Sequence, residues 1–165
     1  AQFYLIAALV IIGVITTLAA VYNSVSTSKQ DESIYFLADE IEFEISSILS
    51  SSIFNSIPKA ETQNRIEVLA DFYFQTNPST NFYIFYGNET EITYIKKENF
   101  QSEITNVLLG SQQFSSSGTT LQRNSNTIKI EFINDAPLIY QLKPTQTTFV
   151  VLIKKTDKEK YVAIS

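Results

Sequence analysis

The chain has no cysteine and no histidine among its 165 residues. Without cysteine there is no disulfide staple, no thiolate nucleophile and no thiolate metal ligand. Without histidine the commonest general base and the commonest metal ligand are both missing. Only four glycines are present, and none belongs to a Gly-rich phosphate loop. The serines lack a histidine partner, and no pair of carboxylates has a recognisable setting, so no enzyme activity and no cofactor are expected. Positive charge is also scarce, with 12 Lys and Arg against 17 Asp and Glu and a net charge of -5. That balance excludes nucleic acid as a partner, because gripping phosphates takes clustered Lys and Arg. Methionine is absent, so residues before Ala1 are expected to have been removed or omitted.

Charge is missing locally too. The first 28 residues carry none, and the first charged side chain is Lys29. Within them, Ala1 to Tyr22 is a nearly continuous apolar run. As a helix it would rise about 33 Å, enough to cross a bilayer core. Its apolar side chains would surround the helix rather than form a stripe, so it must lie in lipid or in a core built by several copies. A secretory signal peptide would open with Met and basic residues and would have a shorter apolar core. Gly13 is read as a close-packing or bending point between neighbouring helices, or as a tolerated glycine.

The run Gln2-Phe3-Tyr4-Leu5-Ile6-Ala7-Ala8-Leu9-Val10-Ile11-Ile12 resembles the mature N-terminus of archaeal type IV pilins. The resemblance covers about the first 30 residues. It implies a leader cut by a prepilin peptidase, membrane insertion before assembly, and polymerisation driven by an assembly ATPase with a membrane platform. Phe3, Leu5, Ile6, Leu9, Val10, Ile12, Gly13, Ile15 and Leu18 would then pack the filament core. Bacterial type IV pilins usually carry Glu at the fifth mature position, where Leu5 stands here, so that family's salt bridge is not carried over. The expected fold is α+β: a long N-terminal apolar helix followed by an antiparallel β-rich globular head with one or two short helices. Residues 1–57 form the helix on this expectation, apolar over 1–22 and amphipathic over 23–57, and residues 58–165 form the head.

Beyond Lys29 a helical pattern resumes. Ile34, Leu37, Ile41, Ile45 and Ile48 share one face, and Phe36, Phe43 and Phe54 form a second apolar line nearly opposite. One line is expected to hold the head and the other to touch an adjacent subunit. Pro58 ends the helix near Ser56. Ala60 to Gln75 reads as a shorter helix with Ile66, Leu69, Ala70 and Tyr73 inward. Asn81 to Tyr86 and Glu91 to Lys96 read as a hairpin, followed by an ambiguous stretch, Phe100 to Leu109, that allows a short helix. Ser111 to Thr120 reads as a surface loop. Thr127 to Ile133, Leu138 to Lys143, Thr148 to Lys154 and Lys160 to Ile164 read as meander strands.

Few constellations carry chemistry. The acids between Asp31 and Glu44 are spread around a cylinder, which favours a solvated face over a Ca²⁺ site. Alternatively, they face a neighbour's basic tail, Lys154, Lys155, Lys158 and Lys160, and set register. Asn88-Glu89-Thr90 is an N-x-Thr sequon on the expected hairpin turn, so Asn88 is the candidate glycosylation site. Phe72 to Phe74 and Phe82 to Tyr86 read as core packing, with a sugar-binding platform as the alternative. The sequence thus points to the major subunit of an adhesive, extracellular pilus-like homopolymer, inserted in the cytoplasmic membrane before assembly. The alternatives are a minor or tip subunit and a membrane-anchored monomeric binding protein.

Overall fold

The computed structural model describes residues 12, 15, 32–157 and 159–165. Helix α1 spans Glu32–Phe54. Its buried side chains Ile34, Ala38, Ile41 and Ile45 recur every three or four residues and form one stripe. The helix ends as expected ahead of Pro58. Ser56 takes the left-handed conformation (φ 53°). The N–H of Ile57 then donates to the Ser52 carbonyl at 2.9 Å and that of Ser56 to the Ile53 carbonyl at 3.2 Å. This Schellman closure satisfies carbonyls that the last turn would otherwise leave open. Helix α2 spans Lys59–Thr76, and its Ile66, Ala70 and Tyr73 are buried.

The expected long apolar N-terminal helix is not found among the described residues. There the helices of more than a single residue are α1 and α2, and α1 is described from Glu32 onward. Among the described residues no helix is long and apolar enough to cross a membrane. The described part of the expected helix, α1, is amphipathic rather than apolar all round: Ile34, Ala38, Ile41 and Ile45 are buried while Glu32, Asp39 and Glu40 are exposed and Glu42 and Glu44 half-buried. The apolar run 1–22 lies outside the described residues apart from Ile12 and Ile15.

The β-rich expectation is met, among the described residues, by nine strands in two antiparallel sheets. They are β1 (Thr80–Gly87), β2 (Glu91–Lys97), β3 (Ile104–Leu109), β4 (Gln112–Gln113), β5 (Thr120–Gln122), β6 (Thr127–Phe132), β7 (Leu138–Gln141), β8 (Thr148–Lys155) and β9 (Lys160–Ile164). The first sheet runs β5-β2-β1-β8-β9 and the second β4-β3-β6-β7. β1–β2, β3–β4, β6–β7 and β8–β9 pair as hairpins, but β8 inserts beside β1, with Phe82 opposite Leu152 and Ile84 opposite Val150. The order is therefore not a simple meander.

The first sheet is the middle of three layers, which explains the unbroken apolar character of β1 and β8. Phe82, Ile84 and Tyr86 point to one side and pack with Ile41, Ile45, Ile66 and Ala70 of the helices. Tyr83 and Phe85 point to the other side and pack with Val107, Ile128 and Ile130 of the second sheet. Phe85 lies 5.5 Å from Phe149, and Phe149 stacks on Tyr140 at 4.0 Å between centroids.

Two expectations between the sheets are corrected. Phe100 to Leu109 is not helical; its second half is β3, with a register irregularity between Ile104 and Asn106. Pairing with β6 buries Val107 and Leu109 at the period of a strand. Ser111 to Thr120 is not wholly a surface loop either, because Phe114 is buried against Phe85 and Tyr94. The crossover from the first sheet to the second is held by Asn81, which is 1% exposed. Its side chain accepts from the N–H groups of Asn99 and Phe100 and donates to the Phe100 carbonyl.

Candidate functional site

Of the residues expected to pack a filament core, Ile12 and Ile15 are helical and 58% and 59% exposed. Phe3, Leu5, Ile6, Leu9, Val10, Gly13 and Leu18 lie outside the described residues. The exposed residues of α1 include the second apolar line: Phe36, Phe43 and Phe54 are 69%, 75% and 87% exposed. At separations of 7 and 11 residues they fall on one side of the helix. Its opposite stripe is committed to the sheet. Glu40 and Glu44, one turn apart, face Tyr73 of α2; burial pushes the Tyr73 phenol up and these carboxylates add to the rise. Among the described residues no three acidic side chains converge as a cation site would require.

The basic tail is partly engaged within its own chain. Lys160 pairs with Glu103 at 2.6 Å and Asp135 at 2.8 Å, and lies 5.2 Å from the centre of the Phe132 ring. Burial works against its charge, but those two carboxylates hold its ammonium above the ordinary lysine value. The aromatic run of β1 is not a surface platform, because Phe82, Tyr83, Phe85 and Tyr86 are all buried.

Asn88 is exposed at the turn between β1 and β2. Gly87 makes this turn possible: a Cβ there would lie 2.0 Å from the Glu91 carbonyl oxygen. The Asn88 N–H donates to that same carbonyl at 2.9 Å. Its side-chain oxygen accepts from the Thr90 N–H and hydroxyl, both at 2.8 Å, and from the Glu91 N–H at 3.0 Å. This is an Asx turn, in which the asparagine replaces a backbone acceptor. It fixes Oδ1 inward, and among the described residues Nδ2 donates to nothing. The atom a glycan would join is therefore the one that remains available. Arg123 steadies the same end of the molecule, donating to the Gln146 and Lys143 carbonyls at 2.7 and 2.6 Å.

Beside Asn88 lies a cleft of about 230 Å³ where the end of α1, the start of α2 and the β1–β2 turn meet. Leu49, Ile53 and Ile57 form its apolar wall. Lys59 and Glu91 pair with each other among its lining residues. Ser52 and Tyr86 also line it, and each is only 5% exposed. Neither hydroxyl has a hydrogen-bond partner among the described residues. Burial pushes the Tyr86 phenol up, with Glu67 adding to the effect and the nearby Thr93 hydroxyl opposing it, so the ring stays neutral. The Thr93 hydroxyl itself is bonded to that of Thr120 at 2.8 Å, which leaves Tyr86 outside hydrogen-bond geometry.

Comparison with protein-family models, with curated proteins and with solved structures finds no match. The site must therefore be read from its own chemistry. Sequence reasoning found Asn88 but missed the cleft. Ser52 sits in a run of near-identical serines, and Tyr86 in a run of aromatics, so neither stands out before the fold brings them together. Asn81 carried a readable signal, being a lone carboxamide beside five consecutive apolar and aromatic residues of a buried strand.

Proposed function

We infer that this chain is the repeating subunit of an extracellular filament of the kind built by archaeal type IV pilins, and that the filament serves adhesion. The supporting observation is a pairing of two features. The leading run of the sequence is uncharged as far as Lys29, and the outer side of α1 presents Phe36, Phe43 and Phe54 to solvent. Both surfaces are unsuited to water, and copies of the same chain would cover them. A contact between unlike patches of identical subunits propagates as a helical polymer when its rotation does not close into a ring. On this reading the leading run occupies the cytoplasmic membrane before assembly, after a prepilin peptidase has removed a leader. An assembly ATPase and membrane platform then move it into the filament core. Close packing and contacts between head units supply the stability.

Electron microscopy of material sheared from cells tests the reading. Long filaments made mostly of this chain support it; recovery only in the membrane fraction overturns it. Filaments containing few copies would mark a minor or tip subunit. Ile12→Asp is expected to abolish assembly, because an unpaired carboxylate in a dry core costs several kcal/mol.

A second reading is a membrane-anchored monomer that binds a ligand. The cleft lined by Ser52 and Tyr86 favours it, since both residues hold unpartnered hydroxyls beside an exposed turn.

A further inference from the structure

We propose that the cleft at the α1–α2 junction binds a single neutral sugar ring. Four properties of the site lead there. Its volume of about 230 Å³ falls below the roughly 300–1,000 Å³ of clefts that hold drug-sized molecules, so one ring fits and a chain of rings does not. Its wall of Leu49, Ile53 and Ile57 suits the C–H face of a pyranose. Its charges, Lys59 and Glu91, satisfy each other, so no ionic ligand is called for. Its unmet needs are hydroxylic: Ser52 and Tyr86 each hold a buried hydroxyl with no partner among the described residues.

Buried polar atoms are almost always hydrogen-bonded, and two orphans lining the same cleft make a specific demand. A purely apolar occupant would leave both unsatisfied. A sugar can donate to and accept from each. Gln63 also lines the cleft, and its amide nitrogen donates to Glu67 at 3.2 Å.

The ring can come from two sources. It is either free, or the first sugar of a glycan on Asn88, which lies among the lining residues. The second source rests on Asn88 being modified; neither source depends on filament formation, so failure here and failure of the filament reading are separable.

The test uses the full chain in a detergent without a sugar head group, once from a host that does not glycosylate and once purified from native cells, whichever fraction holds it. The unmodified chain is titrated with methyl glucoside, methyl mannoside and N-acetylglucosamine and followed by amide NMR. Shifts clustered on Ser52, Gly87 and Thr93 assign the site to a free sugar. The same shifts only in native material with a mass increment on Asn88 assign it to the attached glycan. Ser52→Ala and Tyr86→Phe should each weaken occupancy roughly three- to tenfold. Each should also melt no lower than the parent when empty, since the deleted hydroxyl had no partner. No cleft-centred shifts in either sample overturn the proposal. So does unchanged binding in both variants, or a clearly lower melting temperature of empty Tyr86→Phe, which would reveal a partner within the chain.

Discussion

The side-chain oxygen of Asn81 accepts the backbone N–H of Asn99 at 2.7 Å, across 18 residues of sequence. The same oxygen takes the Phe100 N–H at 3.2 Å, and the amide nitrogen returns a bond to the Phe100 carbonyl. Nearby, the Tyr83 hydroxyl donates to Glu98 at 2.8 Å and lies 3.0 Å from Ser102. One strand of the central sheet thus dictates where the chain departs for the second sheet.

Asn81→Ala is expected to destabilise the fold by about 2–4 kcal/mol, because it strands buried backbone groups rather than removing a self-contained pair. Asn81→Asp should also destabilise, since it loses the donor and places charge where burial is nearly complete. Urea denaturation followed by circular dichroism measures both. A loss below about 0.5 kcal/mol for the alanine variant would show that water replaces the carboxamide at no cost.

Glu98 sets a second expectation, in acid. Burial works to raise its pKa, but hydrogen bonds from Ser102, Lys96 and Tyr83 outweigh it and hold the carboxyl below its ordinary 4.5. The folded chain therefore binds this proton less readily than the unfolded chain. The stability it contributes is present above about pH 4.5 and is lost as pH falls through the folded value. Glu42 works in the opposite sense: burial, with Asp39 beside it, raises its pKa. Melting temperatures between about pH 6 and about pH 3 should fall less steeply for Glu98→Gln than for the parent, while Glu42→Gln should be neutral or stabilising near pH 7. An unchanged acid slope in Glu98→Gln would assign the loss to other carboxylates.

The elements that were legible in the sequence are those whose local chemistry and tertiary setting agree. The β1–β2 hairpin was readable because two runs rich in aromatic and β-branched residues flank Gly87 and Asn88, whose turn geometry the fold uses directly. The end of α1 was readable from Pro58, although the left-handed Ser56 was not. The stretch from Phe100 to Leu109 was ambiguous in the sequence because its strand character comes from pairing with β6, from Ile104 opposite Phe132 to Leu109 opposite Ile128. The serine-rich segment hid Phe114, since composition described its neighbours and not its ring. The predicted long apolar helix is not seen among the described residues, where α1 is acidic and one-sided rather than apolar all round. The cleft was invisible for a different reason: three separate segments each supply ordinary residues, and only their meeting is unusual.

The Asx turn at Asn88 separates two roles of one residue. If Asn88 carries a glycan, intact mass of native material should show an increment that Asn88→Gln and Thr90→Ala remove and Thr90→Ser keeps. The turn itself needs only an acceptor at the asparagine oxygen. Asn88→Asp should therefore lose the increment yet keep the melting temperature of the unmodified chain, whereas Asn88→Gln should lose both the increment and up to about 1 kcal/mol. An unmodified Asn88 in native material would leave the turn as the residue's whole role.

The aromatic line of α1 carries the last expectation. Phe36, Phe43 and Phe54 span about 27 Å along one side of the helix and contribute little to their own fold, being 69% to 87% exposed. Their replacement by serine should leave stability within about 0.5 kcal/mol. If the line meets another copy, the same triple variant should form few filaments or none, because each ring would have shed much of its apolar surface on assembly. Comparing melting temperature with filament yield separates the cases. Unchanged melting with lost filaments places the line at an interface between copies. Unchanged melting with normal filaments removes it from the interface and leaves the uncharged leading run to hold the polymer alone. A large drop in melting temperature would show that the line packs within its own chain and is not available to a neighbour.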